Sequence, residues 1–354
     1  MKVLLVSHRP DYIGGIASWT KRMLKLQCNE IEFCLVDSSP INRDAFKNTK
    51  ISFKDETYRS LTIWKNEIKA LSKDKMIQIV HTNIPCTLFG QIRETITCLI
   101  SKAYGKKFVL HCHCTVPNVV KSNISKSYFR VLLKLCDGIV VLNEQSKTFV
   151  ELLGGKNVRV IPNFVMEDEL DFSEKKNVSS SINNALYVGG VTPEKGCDII
   201  IEAAKACPDI TFHLVGLVSS EIKCMKRPSN VKLYGNVDEN KVKQFLKMAD
   251  VFLFLSRFYG EGFSCALTEA MASGLPCIVS DWAANRDMLE GRGGIVLKNP
   301  TARDVSHAII DLSTQVKSRK EMSEWNQKKV KGAYTDKIVL DMYKEFYEMV
   351  ACGR

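Results

Sequence analysis

Two doubly wound α/β domains facing each other across a cleft are predicted by three features of this sequence. They are its length, an alternation of short β-branched runs with helical stretches, and one polar break near the middle. At 354 residues the chain exceeds one ordinary core of about 100 to 200 residues, so two domains of about 170 residues each are expected. The first series of apolar runs is KVLLVS (2–7), EFCLVDS (32–38), IQIVHT (77–82), KFVLHCH (107–113), GIVVLN (138–143) and VRVIP (158–162). Helical composition fills the gaps between them, which is the βαβ rhythm of a parallel sheet. The stretch 167–184, EDELDFSEKKNVSSSINN, is polar, rich in Ser and Asn and aperiodic, and is expected to link the domains. A second series follows: ALYVGG (185–190), ITFHLVG (210–216), NVKLYGN (230–236), DVFLFL (250–255), PCIVS (276–280) and GGIVL (293–297). From Ala302 the sequence is helical and ends in the amphipathic DKIVLDMYKEFYEMV. The expected division is therefore 1–166, a linker over 167–184, 185–335, and a C-terminal helix over 336–354 able to return to the first domain.

Composition excludes several classes. The hydrophobic fraction of 45% and charged fraction of 25% are globular values, and no run of about 18 uncharged apolar residues occurs, so no spanning helix is expected. The opening MKVLLVSHRP has no signal-peptide pattern, which predicts a cytoplasmic location. Thirteen cysteines are odd in number and sit in apolar stretches such as TCLI and LPCIV, so they read as reduced buried thiols. In His111-Cys112-His113-Cys114 alternate residues of a strand face opposite sides, so the four cannot converge on one metal ion. Net charge is +11, and residues 1–170 hold 25 Lys and Arg against 16 Asp and Glu, an excess of nine. The first domain therefore faces an anionic partner. Nucleic acid is disfavoured, because the basic residues are not expected to be interleaved with exposed aromatics and no recognised binding motif is present.

In open parallel sheets ligands bind beyond the carboxyl ends of the strands, and four such places carry chemistry here. Gly14 and Gly15 follow the first run and precede a helix, where glycine lets backbone N–H groups approach an anion. His113 leaves the fourth run and can hydrogen-bond a substrate hydroxyl. Lys195, in LYVGGVTPEKG, can neutralise a diphosphate and its developing charge. In FYGEGFSCALTEAMASGLP, Glu261 and Glu269 are eight apart. A helix starting near Gly262 would aim the N–H groups of Gly262, Phe263 and Ser264 beside Glu261. Glu269, about two turns on, can accept from a vicinal diol such as a ribose.

Taken together these residues resemble glycosyltransferase family 4, the retaining GT-B enzymes that move a sugar from a nucleotide diphosphate to an acceptor. The resemblance is carried by Glu261-x7-Glu269, by Gly189, Lys195 and Gly196, by Gly14-Gly15, by His113, and by VIPN ending at Asn163. It implies that Glu269 binds the ribose and that Glu261 sits beside the donor sugar with the amides of Gly262, Phe263 and Ser264. It also implies that Lys195 holds the diphosphate, that Gly14 and Gly15 close on it, that His113 touches the sugar, and that the base lies near Gly235, Asn236 and Val237. No metal or other cofactor is implied, since cations and helix N-termini take its place. One position departs from the pattern: the family has Arg after the strand glycine, and this chain has Gly190. Either the diphosphate is held differently or another cation supplies the charge, with Arg257 the candidate.

The resemblance is closest to polysaccharide-assembly enzymes, and SDWAANRDM adds Asn285 and Arg286 as residues that could reach the cleft. Lys126, Arg130 and Lys134 recur every four residues beside Tyr128, Phe129 and Val131. A basic amphipathic helix over 119–136 can lie on an anionic leaflet, which suggests a lipid-linked saccharide as acceptor. Two other activities use the same donor site: a sugar-nucleotide epimerase, and a non-catalytic nucleotide-sugar-binding partner of an assembly complex.

Overall fold

The computed structural model describes residues 1–26, 30–40, 52–169 and 178–353. Each of the twelve expected runs overlaps a strand. The first six are β1 (Lys2–Ser7), β2 (Glu32–Asp37), β3 (Ile77–Ile84), β4 (Lys107–Cys112), β5 (Gly138–Val141) and β6 (Val158–Val160). The second six are β7 (Asn184–Val188), β8 (Thr211–Val215), β9 (Val231–Leu233), β10 (Val251–Phe254), β11 (Cys277–Ser280) and β12 (Gly294–Leu297). They form two six-stranded sheets, ordered β2-β1-β3-β4-β5-β6 and β9-β8-β7-β10-β11-β12, with every pairing parallel. Several expected runs overshoot at the carboxyl end: β4 stops at Cys112, β7 at Val188 and β10 at Phe254. The residues left over, among them His113, Gly189 and Gly190, begin the loops of the candidate site.

The helices of the first half are α1 (Gly15–Lys25), α2 (Phe53–Lys73), α3 (Leu88–Ala103), α4 (Val116–Val119), α5 (Asn123–Leu135) and α6 (Glu144–Leu152). Those of the second are α7 (Cys197–Ala203), α8 (Ser220–Cys224), α9 (Glu239–Met248), α10 (Cys265–Ala272), α11 (Asn285–Leu289), α12 (Ala302–Thr314) and α13 (Val316–Ala333), and α14 (Asp336–Cys352) closes the chain. Their starts follow capping chemistry: Ser122, Asn143, Asp238, Ser264 and Thr301 each accept from a first-turn amide, Thr301 in a capping box with Asp304.

Two compact units result, Met1–Asn163 with Asp336–Arg354, and Phe164–Thr335. The stretch 167–184 is a 3-10 turn at Glu167–Glu169, and its residues 170–177 lie outside the described residues. Its far end is tied to the second unit, where the Asp250 carboxylate accepts from Ser179 Oγ at 2.7 Å and from the amides of Asn183 and Asn184, both at 2.9 Å.

Because both faces of each sheet are covered, the central strands β1, β4, β5, β10 and β11 are buried almost throughout rather than alternating. In the first unit α2, α3 and α5 cover one face and enclose Ile63, Cys86, Cys98, Cys112, Cys114 and Phe129. Trp19 of α1 and Tyr343 and Tyr347 of α14 pack with His81 and His111 against the other. The alternation in His111-Cys112-His113-Cys114 is thereby realised, with the two imidazoles in contact and the two thiols in the opposite core. The described cysteines are free thiols, most of them buried. Among the described residues no helix is long and apolar enough to cross a membrane, and no group of three or more His, Cys, Asp or Glu is arranged to hold a metal ion.

Candidate active site

In the second unit the strand order reverses between β7 and β10, so the loops leaving their carboxyl ends converge. Lys195 Nζ lies 2.5 Å from Glu261 Oε2, and the same oxygen accepts from Ser256 Oγ at 2.9 Å. The ammonium also stands 4.7 Å from the centre of the Phe258 ring, a cation–π contact that steadies it. The Glu261 side chain is 11% exposed and that of Lys195 24%, so the pair sits at the rim of the protein interior rather than in bulk water.

Close backbone approach explains the glycines around it. Gly196 has φ +78, and a Cβ there would lie 2.3 Å from the Leu255 carbonyl oxygen. A Cβ on Gly216 would lie 1.8 Å from the carbonyl oxygen of Gly189. The loops after β7, β8 and β10 are thus packed main chain to main chain, and no side chain fits between them. Tyr187 donates from Oη to the Gly190 carbonyl at 2.8 Å. Burial raises that phenol well above its ordinary pKa, which keeps it a donor.

In the first unit the order reverses between β1 and β3. Ser7 Oγ is 2.6 Å from Thr20 Oγ1 and accepts from Asn83 Nδ2 at 2.6 Å. His113 follows β4, its amide donating to the Ile84 carbonyl at 3.1 Å, and its ring lies against His111 and Trp19. Burial, followed by the nearby His81 and His8, holds its pKa well below the ordinary imidazole range. His113 is therefore neutral near pH 7, a hydrogen-bonding group rather than a proton donor in acid catalysis. Gly14 precedes α1 with φ +135, a conformation that requires glycine, and a Cβ at Gly14 or Gly15 would meet no other atom of the chain within 4 Å.

Both sheets and their helices match the GT-B architecture. The structure of Anabaena Alr3699/HepE in complex with UDP-glucose superposes with a TM-score of 0.71 at 16% identity, covering 99% of this chain and 100% of that one. Residues 168–329 match the family model "Glycosyl transferases group 1". The family match thus falls on the second unit, the one that holds Lys195 and Glu261. Among similar proteins, the uncharacterized glycosyltransferase MJ1178 of Methanocaldococcus jannaschii is 24% identical over 99% of both chains. The UDP-Gal:alpha-D-GlcNAc-diphosphoundecaprenol alpha-1,3-galactosyltransferase of Escherichia coli is 24% identical over 78% of this chain and 79% of its own.

Of the residues that the sequence singles out in this unit, the structure brings Lys195 and Glu261 into direct contact. Helix α10, however, starts at Cys265, not near Gly262 as the sequence suggests. Ser264 caps it through Oγ, accepting from the Leu267 amide at 3.2 Å, and Gly262 is too poor a helix former to displace so good a cap. Gly262 and Phe263 therefore lie in the approach to the helix, and Glu269 lies half-buried one turn inside it. Gly235 has φ +70 and accepts from the Gly216 amide at 2.8 Å, which puts Asn236 and Val237 past the end of edge strand β9. Arg257 is held by Asp198, Nη2 to Oδ2 at 2.5 Å, while its amide donates to the Glu194 carbonyl. Asn285 is buried and donates to the Ser280 carbonyl at 3.1 Å, and Arg286 is engaged by Asp281 through two hydrogen bonds.

Sequence reasoning missed Ser256, Tyr187, His81, His111 and Trp19 as members of these polar clusters. For Ser256, the residue two positions after β10, the carboxyl-end rule that selected Lys195 was signal enough. The partners that α14 supplies had no local signal, because more than 230 residues separate Tyr347 from the strands it packs on.

Proposed function

We propose that this chain is a glycosyltransferase that retains anomeric configuration and transfers a sugar from a UDP- or GDP-linked donor to a glycan or lipid-linked saccharide acceptor in polysaccharide assembly. The observation that carries the reading is the Lys195–Glu261–Ser256 cluster at the strand-order reversal of the second unit. Lys195 is placed to exchange its contact with Glu261 for the donor diphosphate. Glu261, already fixed by Ser256, then faces the sugar hydroxyls. The anomeric C–O bond to the diphosphate breaks, the acceptor oxygen bonds to that carbon, and the acceptor proton passes to the departing phosphate. Lys195 stabilises the charge that develops on the leaving group. Glu269 takes the ribose, and His113, neutral, takes a sugar hydroxyl. Support for a uridine nucleotide comes from the UDP-glucose complex of the Anabaena neighbour, and for a lipid-linked acceptor from the name of the Escherichia coli relative.

The test is a thermal-shift and calorimetric screen against UDP, GDP, ADP and CMP and their sugars. One nucleotide family is expected to raise Tm in the wild type. Glu269→Ala should weaken that binding by about 1.5–3 kcal/mol, the loss of a hydrogen bond to a charged group. Undiminished nucleotide affinity in the variant would remove Glu269 from the donor site. Nucleotide binding without sugar transfer would identify a non-catalytic binding partner, and recovery of an isomerised sugar nucleotide an epimerase.

A peripheral position on an anionic membrane rests on the surface of α2, α3 and α5. Phe129, Leu132 and Leu133 of α5 point into the core, but Ile124, Tyr128 and Val131 are exposed. So are Leu88, Phe89, Ile92 and Leu99 on the neighbouring α3, and Phe53, Tyr58, Leu61 and Ile68 on α2. Lys54, Lys65, Lys69, Lys73, Arg130 and Lys134 are exposed among them, and Asp55 is the only exposed acid of these three helices. An apolar strip flanked by cations suits a bilayer interface. Cosedimentation with phosphatidylglycerol vesicles is expected at low salt, reduced severalfold in F89S/I92S. Equal sedimentation of the variant would place the contact elsewhere.

A further inference from the structure

Beneath His113 runs a buried line of polar rings. Tyr347 Oη of α14 is 2.6 Å from His81 Nδ1, and His81 Nε2 is 3.2 Å from His111 Nδ1. The His111 ring then lies against that of His113, centroids 3.9 Å apart and planes 36° from parallel. Trp19 sets its ring edge-to-face against both, at 5.2 and 5.3 Å, and is held in turn by donating from Nε1 to Tyr343 Oη at 3.2 Å. His81, His111, Tyr343 and Tyr347 are fully buried and Trp19 is 1% exposed.

The direction of this chain follows from counting hydrogens. The Tyr347 hydroxyl has no other polar partner among the described residues. If His81 donated to it, the phenol hydrogen and the His111 Nε2 lone pair would both be left buried without a partner, whereas the opposite direction leaves only the His111 Nε2–H unpaired among the described residues and so costs less. Tyr347 therefore donates to His81 Nδ1. A neutral imidazole carries one N–H, so His81 donates from Nε2 to His111 Nδ1, and His111 carries its hydrogen on Nε2, beside His113. Burial keeps the line neutral, holding the His81 pKa at about 3.

We propose that Tyr347, His81 and His111 are positioning residues for His113: the C-terminal helix starts a one-way hydrogen-bond chain that locks the His111 tautomer and, with Trp19, clamps the His113 ring. This rests on the reading that His113 contacts the donor sugar. It goes further in making residues 336–354, remote in sequence, part of the apparatus that presents that histidine.

Two measurements on the full chain separate the proposal from its premise. Long-range 1H–15N correlation spectra of ring-labelled histidine, recorded without nucleotide at pH 7, should show His81 and His111 as neutral Nε2–H tautomers. Tyr347→Phe should give a tautomer mixture at both. An Nδ1–H form in the wild type, or unchanged signals in the variant, would overturn the chain. In the transfer assay Tyr347→Phe should lower kcat about five- to tenfold, and should cost nothing further in a His113→Ala background. A full additional loss there would show that Tyr347 merely supports the fold, and would overturn the positioning role. Wild-type transfer by His113→Ala alone, with the tautomers as expected, would instead sink the donor-contact premise.

Discussion

Lys195→Ala is expected to lower kcat for sugar transfer by about a hundred- to a thousandfold while changing nucleotide affinity far less. The magnitude is that of removing one preorganised charge or donor from a developing anion, about 2.7–4 kcal/mol. The split follows from timing: charge grows on the diphosphate as the anomeric bond breaks, so Lys195 contributes more in the transition state than in the bound donor. A further consequence concerns the resting protein. Without the ammonium at 2.5 Å, Glu261 keeps the Ser256 hydroxyl as its side-chain donor among the described residues, and an under-compensated carboxylate costs about 1–3 kcal/mol of stability. Steady-state kinetics with urea melts would show both effects. A variant with undiminished kcat would exclude Lys195 from the chemistry.

The second large effect is a pH dependence of stability centred on Glu67. This carboxyl is fully buried on α2, and burial, with Glu94 adding to it, pushes its pKa up to about 8. The Ser101 hydroxyl, 2.8 Å from Glu67 Oε1, donates to the carboxylate and opposes that rise without cancelling it. Between the ordinary glutamate pKa of about 4.3 and about 8, the folded chain holds a proton that the unfolded chain has released. The stabilisation is fully present below about pH 4 and is lost as pH rises to about 8, at up to about 1.4 kcal/mol per pH unit. Glu67→Gln should remove this slope and leave the variant the more stable form above pH 7. Urea denaturation at pH 5, 6.5, 8 and 9 checks it, and parallel curves for the two proteins would mean that Glu67 is ionised when folded.

The sheets were legible because both their faces are covered. Strands such as KVLLVS and DVFLFL then read as unbroken apolar runs that no other local pattern imitates at this spacing. Lys195 and Glu261 were legible because an open sheet gathers chemistry at its carboxyl ends. Where helix α10 begins was misread because Gly262 and Ser264 lie two residues apart and both are start signals; the cap decided the outcome. The line from Tyr347 to His113 was illegible for a different reason. Each of its bonds joins residues far apart in the chain, and tyrosines inside an amphipathic helix signal burial without saying against what.

The return of α14 to the first unit has a bearing on biosynthesis. Residues 164–335 are translated before 336–354, so the ribosome completes the second unit while the first still lacks its last helix. Until then the sheet face carrying His81, His111 and Trp19 has no tyrosines against it. At about 5–20 residues per second this exposed interval lasts on the order of ten seconds or more. The domain synthesised first is thus the one finished last, and a ribosome stalled anywhere in the second unit would hold an incomplete first unit with a bare aromatic and imidazole surface, a natural substrate for chaperones.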